Sequence, residues 1–177
     1  PSNWNVAFNG NPLFVARGYP AASAPGSNGE RQPITTAPSW TFNPNGGINL
    51  VFGTGRDVTA ADAASTSVQT IYSVWDNTLI NLSTNPITFT GGTRVPDSTS
   101  GGRSSLLERT QTASTTTTKG RFMTTSTATE VVYTGVNAKR GWFFNLPEPG
   151  ERVIANPKVL DKRLIAIPSI QPTLGSQ

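Results

Sequence analysis

Residues 68–75 alternate as a β-strand does, yet both faces of the alternation are apolar. Val68, Thr70, Tyr72 and Val74 point one way; Gln69, Ile71, Ser73 and Trp75 point the other. β-Branched and aromatic residues at period two favour a strand. Large apolar groups on both faces need cover on both faces, which places this strand inside a stack of sheets and not at the edge of a lone hairpin. It closes a longer stretch, 46–77, around which the chain is organised. The first run of that stretch, 48–52 (INLVF), has the same strand character. The loop between the runs opens with Gly53-Thr54-Gly55 and then turns polar and small, without helical periodicity.

The rest of the chain reads as short strands and turns. Residues 1–17 carry Trp4, Val6 and Phe8, then Leu13, Phe14 and Val15, and are expected to form the last strand of one sheet. Residues 18–31 are a small, polar surface loop. Residues 34–42 should pair antiparallel with 48–52 across a reversal at Asn43, Pro44, Asn45, Gly46 and Gly47, with Pro33 and Pro38 confining the first strand to edge or irregular pairing. Leu79, Ile80, Leu82, Ile87 and Phe89 suit short extra strands, and 91–102 is a loop. Residues 98–129 are dominated by Ser and Thr, a composition that reads as a flexible or weakly paired surface insertion. Within it, 104–112 is compatible with a helix by spacing, although its Thr content favours a strand. Short strands are expected at 130–134 (EVVYT) and 139–147 (KRGWFFNLP), and a hairpin from 152–159 and 163–170.

An internal repeat follows: an aromatic run, then a Pro-containing run, then an apolar run, at 10–52 and again at 141–167. Gly and aromatic punctuation of small antiparallel sheets marks propeller blades. With 17 glycines and 14 prolines beside 14 basic and 10 acidic residues, turns are frequent and a helical bundle is disfavoured.

The functional exclusions are firmer. The chain has no Cys and no His. Disulfides, thiolate metal sites, Cys nucleophiles, a Ser-His-Asp triad and a His-ligated zinc all drop out. The net charge is +4, with Lys and Arg scattered. The densest basic groups, Lys139-Arg140 and Lys162-Arg163, lack the interleaved aromatics of a single-strand nucleic-acid groove, so no nucleic-acid partner is expected. Pro1 in place of Met reads as an excerpt or a processed product.

Candidate chemistry is thin. Gly53-Thr54-Gly55 lacks the Gly-Lys-Ser/Thr of a phosphate loop, and a tight turn at a strand end explains it. Asp57 and Asp62 lack the alternating oxygen ligands of a calcium loop. Asp76, followed by Asn77, suits a strand-ending residue that accepts backbone N–H groups. Arg140, Glu151 and Arg152 suit surface or inter-strand ion pairs. Trp4, Trp40 and Trp75 could stack on sugar rings if exposed, and core packing is the simpler assignment. Catalytic, cofactor-binding and metal residues are therefore all entered as none.

Four motifs then stand in order: GNPLFVAR (10–17), RQPITTAP (31–38), NLVFGTGR with VQTIYSVWDN (49–56 and 68–77), and KRGWFFNLPEPGERVIANP (139–157). Together they resemble the C-terminal β-propeller region of the PilC/PilY family of type IV pilus biogenesis proteins and tip adhesins. The resemblance implies an all-β fold: a segment of a modified quinoprotein-like propeller without the quinone, about two blades of antiparallel strands. It spans 1–177 as a partial domain, with 78–138 as an insertion or irregular region. It implies a non-enzymatic, exported module at the bacterial cell surface or pilus tip, reached through the periplasm and outer membrane. The implied roles are pilus assembly, control of retraction, and adhesion. The implied partners are minor pilins or a pilus tip complex, a host or abiotic surface, and the remainder of the propeller or a second copy. Family members can carry a calcium loop. No Asp-rich loop matches it here, so no cofactor is expected in this segment, with calcium left to the rest of the parent protein. A quinoprotein-type dehydrogenase propeller and a carbohydrate-binding or glycoside-hydrolysing β-domain are the alternatives.

Overall fold

The computed structural model describes residues 7–18, 29–95, 102–117, 120–125, 130–161 and 164–172. Trp4, Lys162 and Arg163 lie outside them. The centre is a five-stranded sheet: β1 (Ser39–Phe42), β2 (Ile48–Gly53), β3 (Thr70–Asp76), β9 (Gly141–Asn145) and β6 (Leu107–Arg109), in the order β1-β2-β3-β9-β6. The first four pair antiparallel; β6 adds to β9 in parallel. Three two-stranded hairpins complete the strands: β4 (Leu79–Asn81) with β5 (Thr88–Thr90), β7 (Gln111–Thr117) with β8 (Gly120–Thr125), and β10 (Lys158–Asp161) with β11 (Leu164–Ala166).

The expectation for 68–75 holds: β3 is covered on both faces. Phe52, Tyr72 and Phe143 stand opposite one another on β2, β3 and β9. With Val74 they pack under Leu13, Phe14, Ala16, Val95 and Leu106. Tyr72 is fully buried, its ring 5.5 Å from Phe52, 5.1 Å from Phe14 and 6.2 Å from Phe143. On the other face, Ile71, Trp142 and Phe144 pack with Leu146, Val153 and Ile167. The covers are chain segments that fold back over the sheet; they are not a second sheet.

The glycines of the sheet are explained by close approach. Gly53 lies against Val153, where a Cβ would come within 2.4 Å of the Val153 side chain. Gly141 has φ +128°, and a Cβ there would fall 1.9 Å from the Ser73 carbonyl oxygen. Only a residue without a side chain allows either contact.

Several sequence expectations are corrected. Residues 7–17 do not form a regular strand. Ala7–Gly10 makes a tight turn with Phe8 and Asn9 at φ 54° and 55°, and the chain then runs extended across the sheet. It is tied by Val95 N–H to Leu13 O (2.9 Å), Gln32 N–H to Ala16 O (2.9 Å) and an isolated bridge between Arg17 and Arg31. The loop after Gly55 contains a one-turn helix, α1 (Ala60–Ala64). Residues 130–134 are not a strand: Tyr133 instead packs edge-on against Trp75 at 5.2 Å. The hairpin of 34–42 narrows to β1, because Pro33 and Pro38 have no N–H to give a ladder.

Residues 111–117 and 120–125 pair as a regular hairpin, as β-branched Thr favours. The stretch 78–138 also feeds the core: it supplies β6, Val95, Leu106 and the buried Arg103. The two halves of the repeat do not form equivalent sheets, since Gly141–Asn145 joins the same sheet as β2 and β3.

Candidate functional site

The polar groups that could carry chemistry fall into three clusters around the sheet. The first is buried under the 11–17 segment. Thr70 Oγ1 accepts from Gln32 Nε2 (2.9 Å) and Arg103 Nη2 (2.7 Å) and donates to Asn145 Oδ1 (3.0 Å). Arg103 also donates to Asn145 Oδ1 (2.9 Å) and to the Arg17 carbonyl (2.7 Å). Its guanidinium lies 4.5 Å from the Phe143 ring centre and 5.6 Å from that of Tyr72. The Tyr72 hydroxyl sits 2.8 Å from both the Arg17 carbonyl and Gln32 Oε1. Burial raises the Tyr72 pKa; the nearby Arg103 charge and the hydrogen bonds from Thr70, Arg103 and Arg17 oppose the rise. The phenol is therefore a neutral donor at physiological pH. Thr70 has its donor and both acceptor positions engaged, so the cluster works as a lock between the sheet and its cover.

The second cluster surrounds α1. Thr59 and Asp62 form a capping box: Asp62 N–H donates to Thr59 Oγ1 (3.2 Å), and Asp62 Oδ2 accepts from Thr59 N–H (2.9 Å). Asp62 Oδ1 accepts from Arg56 Nε at 2.8 Å and is paired with Arg56 Nη2 at 2.8 Å. Burial works against the Asp62 charge. The hydrogen bonds from Arg56, the Thr59 hydroxyl and the Val58 and Thr59 amides outweigh it and bring the pKa down to about 2. Behind the helix, Arg152 is buried and donates to the carbonyls of Gly150 (2.9 Å), Arg56 (2.8 Å), Ser65 (2.8 Å) and Asp62. The expectation of an ion pair at Arg152 is thus corrected: this cation serves backbone oxygens.

The third cluster is at the end of β3. Asp76 ends the strand as expected, accepting at Oδ1 from Thr78 N–H (3.0 Å) and Thr78 Oγ1 (2.6 Å). Arg140 does not form the expected ion pair. It stacks over Trp75 at 5.3 Å and donates to Trp75 O (2.9 Å), Asn77 Oδ1 (3.1 Å), Thr93 O (2.9 Å) and Thr93 Oγ1 (2.8 Å). Burial lowers its pKa and the Asp76 charge partly offsets this.

The remaining sequence candidates are dispersed. Gly53-Thr54-Gly55 is a packing motif, in which Thr54 O accepts from Val153 N–H (3.0 Å) and Thr54 Oγ1 from Thr70 N–H (2.8 Å). Asp57 is exposed, and Asp62 is engaged as above. Lys139 donates to Ser104 O (2.7 Å), and Glu151 accepts from Ser169 Oγ (2.6 Å). Trp75 is a core residue, with Nε1 donating to Gly46 O (2.7 Å). Trp40 is more than half exposed and meets exposed Phe42 edge to face at 5.3 Å. Among the described residues no three acidic, His or Cys side chains gather as metal ligands would. No described helix is long and apolar enough to cross a membrane.

Sequence reasoning did not single out Gln32, Arg103 or Asn145, or the carbonyl-binding role of Arg152. Gln32 and Arg152 lie within quoted motifs, which was their available signal. Arg103 lies in a Ser/Thr-rich stretch with none.

Comparison with known proteins places these contacts in a family. The model of the PilY1 beta-propeller domain matches residues 2–112. The type IV pilus biogenesis factor PilY1 of Pseudomonas aeruginosa strain PAO1 is 42% identical over 78 residues, covering 42% of this chain and 6% of that protein. PilY1 of strain UCBPP-PA14 is 39% identical over 79 residues, covering 43% of this chain and 6% of that protein. The crystal structure of the P. aeruginosa PilY1 C-terminal domain superposes with a TM-score of 0.66 at 23% identity, covering 97% of this chain and 34% of that chain. That likeness shows the shared fold, a partial propeller whose sheet is open. The chain thus spans a small part of the curated relatives it matches. The matched region holds β1 to β3, Gln32, Arg103 and the FGTGR motif, and on that match the chain belongs to the PilY1 β-propeller family.

Proposed function

We propose that this chain is a non-enzymatic β-propeller module of a type IV pilus biogenesis protein. It acts in pilus assembly, in control of retraction and in attachment to host or abiotic surfaces. Its parent protein is exported through the periplasm and outer membrane to the cell surface and pilus tip, where minor pilins are its partners.

The observation that supports this reading most is the family match over 2–112, together with where the matched residues sit. They are core and lock residues: Gly53 against Val153, Tyr72 under Phe14, Thr70 on Arg103. A site fixed by such residues is a scaffold that presents surface. The test is genetic. Deleting the parent gene in its native bacterium should abolish surface pili and twitching motility, and the intact gene should restore both. Normal piliation in the deletion strain would overturn the proposal.

Exposed Trp40 and Phe42 favour one further reading, a sugar-stacking contact within the adhesive role. A glycan array on which the chain gives hits that Trp40→Ala removes would establish it; an array without hits would dismiss it.

A further inference from the structure

The β4–β5 hairpin carries an apolar face that nothing in the chain covers. Ile80 pairs with Phe89, Leu79 with Thr90 and Asn81 with Thr88, so Ile80 and Phe89 share one face. Leu82 and Ile87 are the next pair in the same alternation. The four are 59%, 66%, 76% and 51% exposed. The opposite face carries Asn81, Thr88 and Thr90, with Leu79 against the β1–β2 turn, where a Cβ on Gly46 would fall 2.5 Å from Leu79 Cδ2.

This arm is held firmly at its root. Asn77 Oδ1 accepts from Thr93 N–H (3.0 Å) at the arm's two ends, and Arg140 bridges Trp75, Asn77 and Thr93. An apolar face on a braced, projecting hairpin marks an interaction surface.

We propose that this face associates with the same face of a second copy of the chain. The charge distribution favours that occupant. The chain carries +4, so most approaches of two copies set like charges together. No charged residue lies between Asp76 and Arg94, so two arms meet without that repulsion. The face is flat and uniformly apolar, hence complementary to itself across a two-fold axis. The tip is polar, with Ser83 N–H and Thr84 Oγ1 bonded to Asn81, which suits lateral packing against another hairpin better than insertion into a bilayer. The arm leaves the sheet at a strand end, so a sheet stacked on either face of the central sheet would leave it free. Four side chains make a small contact, and the association is weak.

This inference is independent of the pilus reading. Sedimentation velocity of the 177-residue chain should show a monomer passing to dimer over roughly 10–500 µM, the range of weak interfaces. Added salt should strengthen the dimer by screening the net charge. Phe89→Lys and Phe89→Glu should each stay monomeric with an unchanged melting transition. Mixing the two should restore association, because opposite charges then meet across the axis. Ile80→Lys with Ile80→Glu provides a second pair, should the Phe89 variants fail to fold. A chain that stays monomeric throughout would overturn the proposal, as would variants that associate like the parent. A mixture that stays monomeric would do so too, and would assign the face to a different protein.

Discussion

Tyr72 and Phe89 are aromatic residues in strands of similar composition, and they meet opposite fates. Tyr72, on β3, is fully buried; Phe89, on β5, is 66% exposed. Local propensity does not separate them, since TIYSVW and ITFT both favour strands. What separates them is what the rest of the chain brings. Tyr72 receives Phe14, Phe52, Phe143 and Arg103 from four distant segments. Phe89 receives its hairpin partner Ile80 and solvent. The central sheet is thus defined by long-range cover and the arm by its own register. The quoted family motifs map onto the first region and leave 78–138 out.

The sharpest test of that contrast is a pair of truncations. Tyr72→Ala should cost about 3–5 kcal/mol, the range for a large buried aromatic. It also leaves Arg103 with one ring fewer. Phe89→Ala should stay within about 0.5 kcal/mol in the monomer, as exposed substitutions do. Urea unfolding followed by tryptophan fluorescence would measure both, and equal losses would break the comparison. Arg152→Met comes next, at about 2–4 kcal/mol, because the carbonyls of Arg56, Asp62 and Ser65 lose a charged donor in a buried setting. Hydrogen exchange should localise that loss to 56–65. Arg140→Gln should cost about 1–2 kcal/mol, combining a lost cation–π contact with weakened hydrogen bonds at the arm's root. Faster exchange at 77–93 with β2 and β3 unchanged is the expected pattern.

How much of this was legible follows the same division. The alternation of 68–75 specified β3 and its two covered faces, and the Asn43-to-Gly47 run specified the turn before β2. The Asp76 stop was readable because its partner, Thr78, lies two residues away. Residues 10–17 were misread as a strand because apolar content says that a segment is buried, not which ladder it joins. Val131 and Tyr133 misled in the same way: a β-rich run became a packed loop on Trp75. The capping box of α1 was present as Thr59 and Asp62 but was passed over in a loop too short for periodicity. Arg103 and Arg152 were illegible as buried cations because several of their acceptors are backbone carbonyls, which every residue possesses. The apolar residues of β4 and β5 were seen, but the shared exposed face depends on pairing register, which only the fold supplies.

The smallest expected effect is the pH response of the α1 loop, and it separates the loop from the sheet. Asp62 has its folded pKa lowered from 3.8 to about 2, so its carboxylate favours the folded loop. The contribution is fully present above pH 3.8 and is lost as pH falls toward 2, since the unfolded loop takes up the proton first. Arg56, more than half exposed, is a screened partner, so the effect is local. Amide exchange at 58–65 should accelerate between pH 4 and pH 2, beyond the intrinsic change, while β3 keeps its protection. Asp62→Asn should remove the acid response and leave the exchange of 58–65 faster at neutral pH. If β3 loses protection in step with 58–65, the loop and the sheet form one cooperative unit, and the division between a cover-defined core and locally held elements fails at α1.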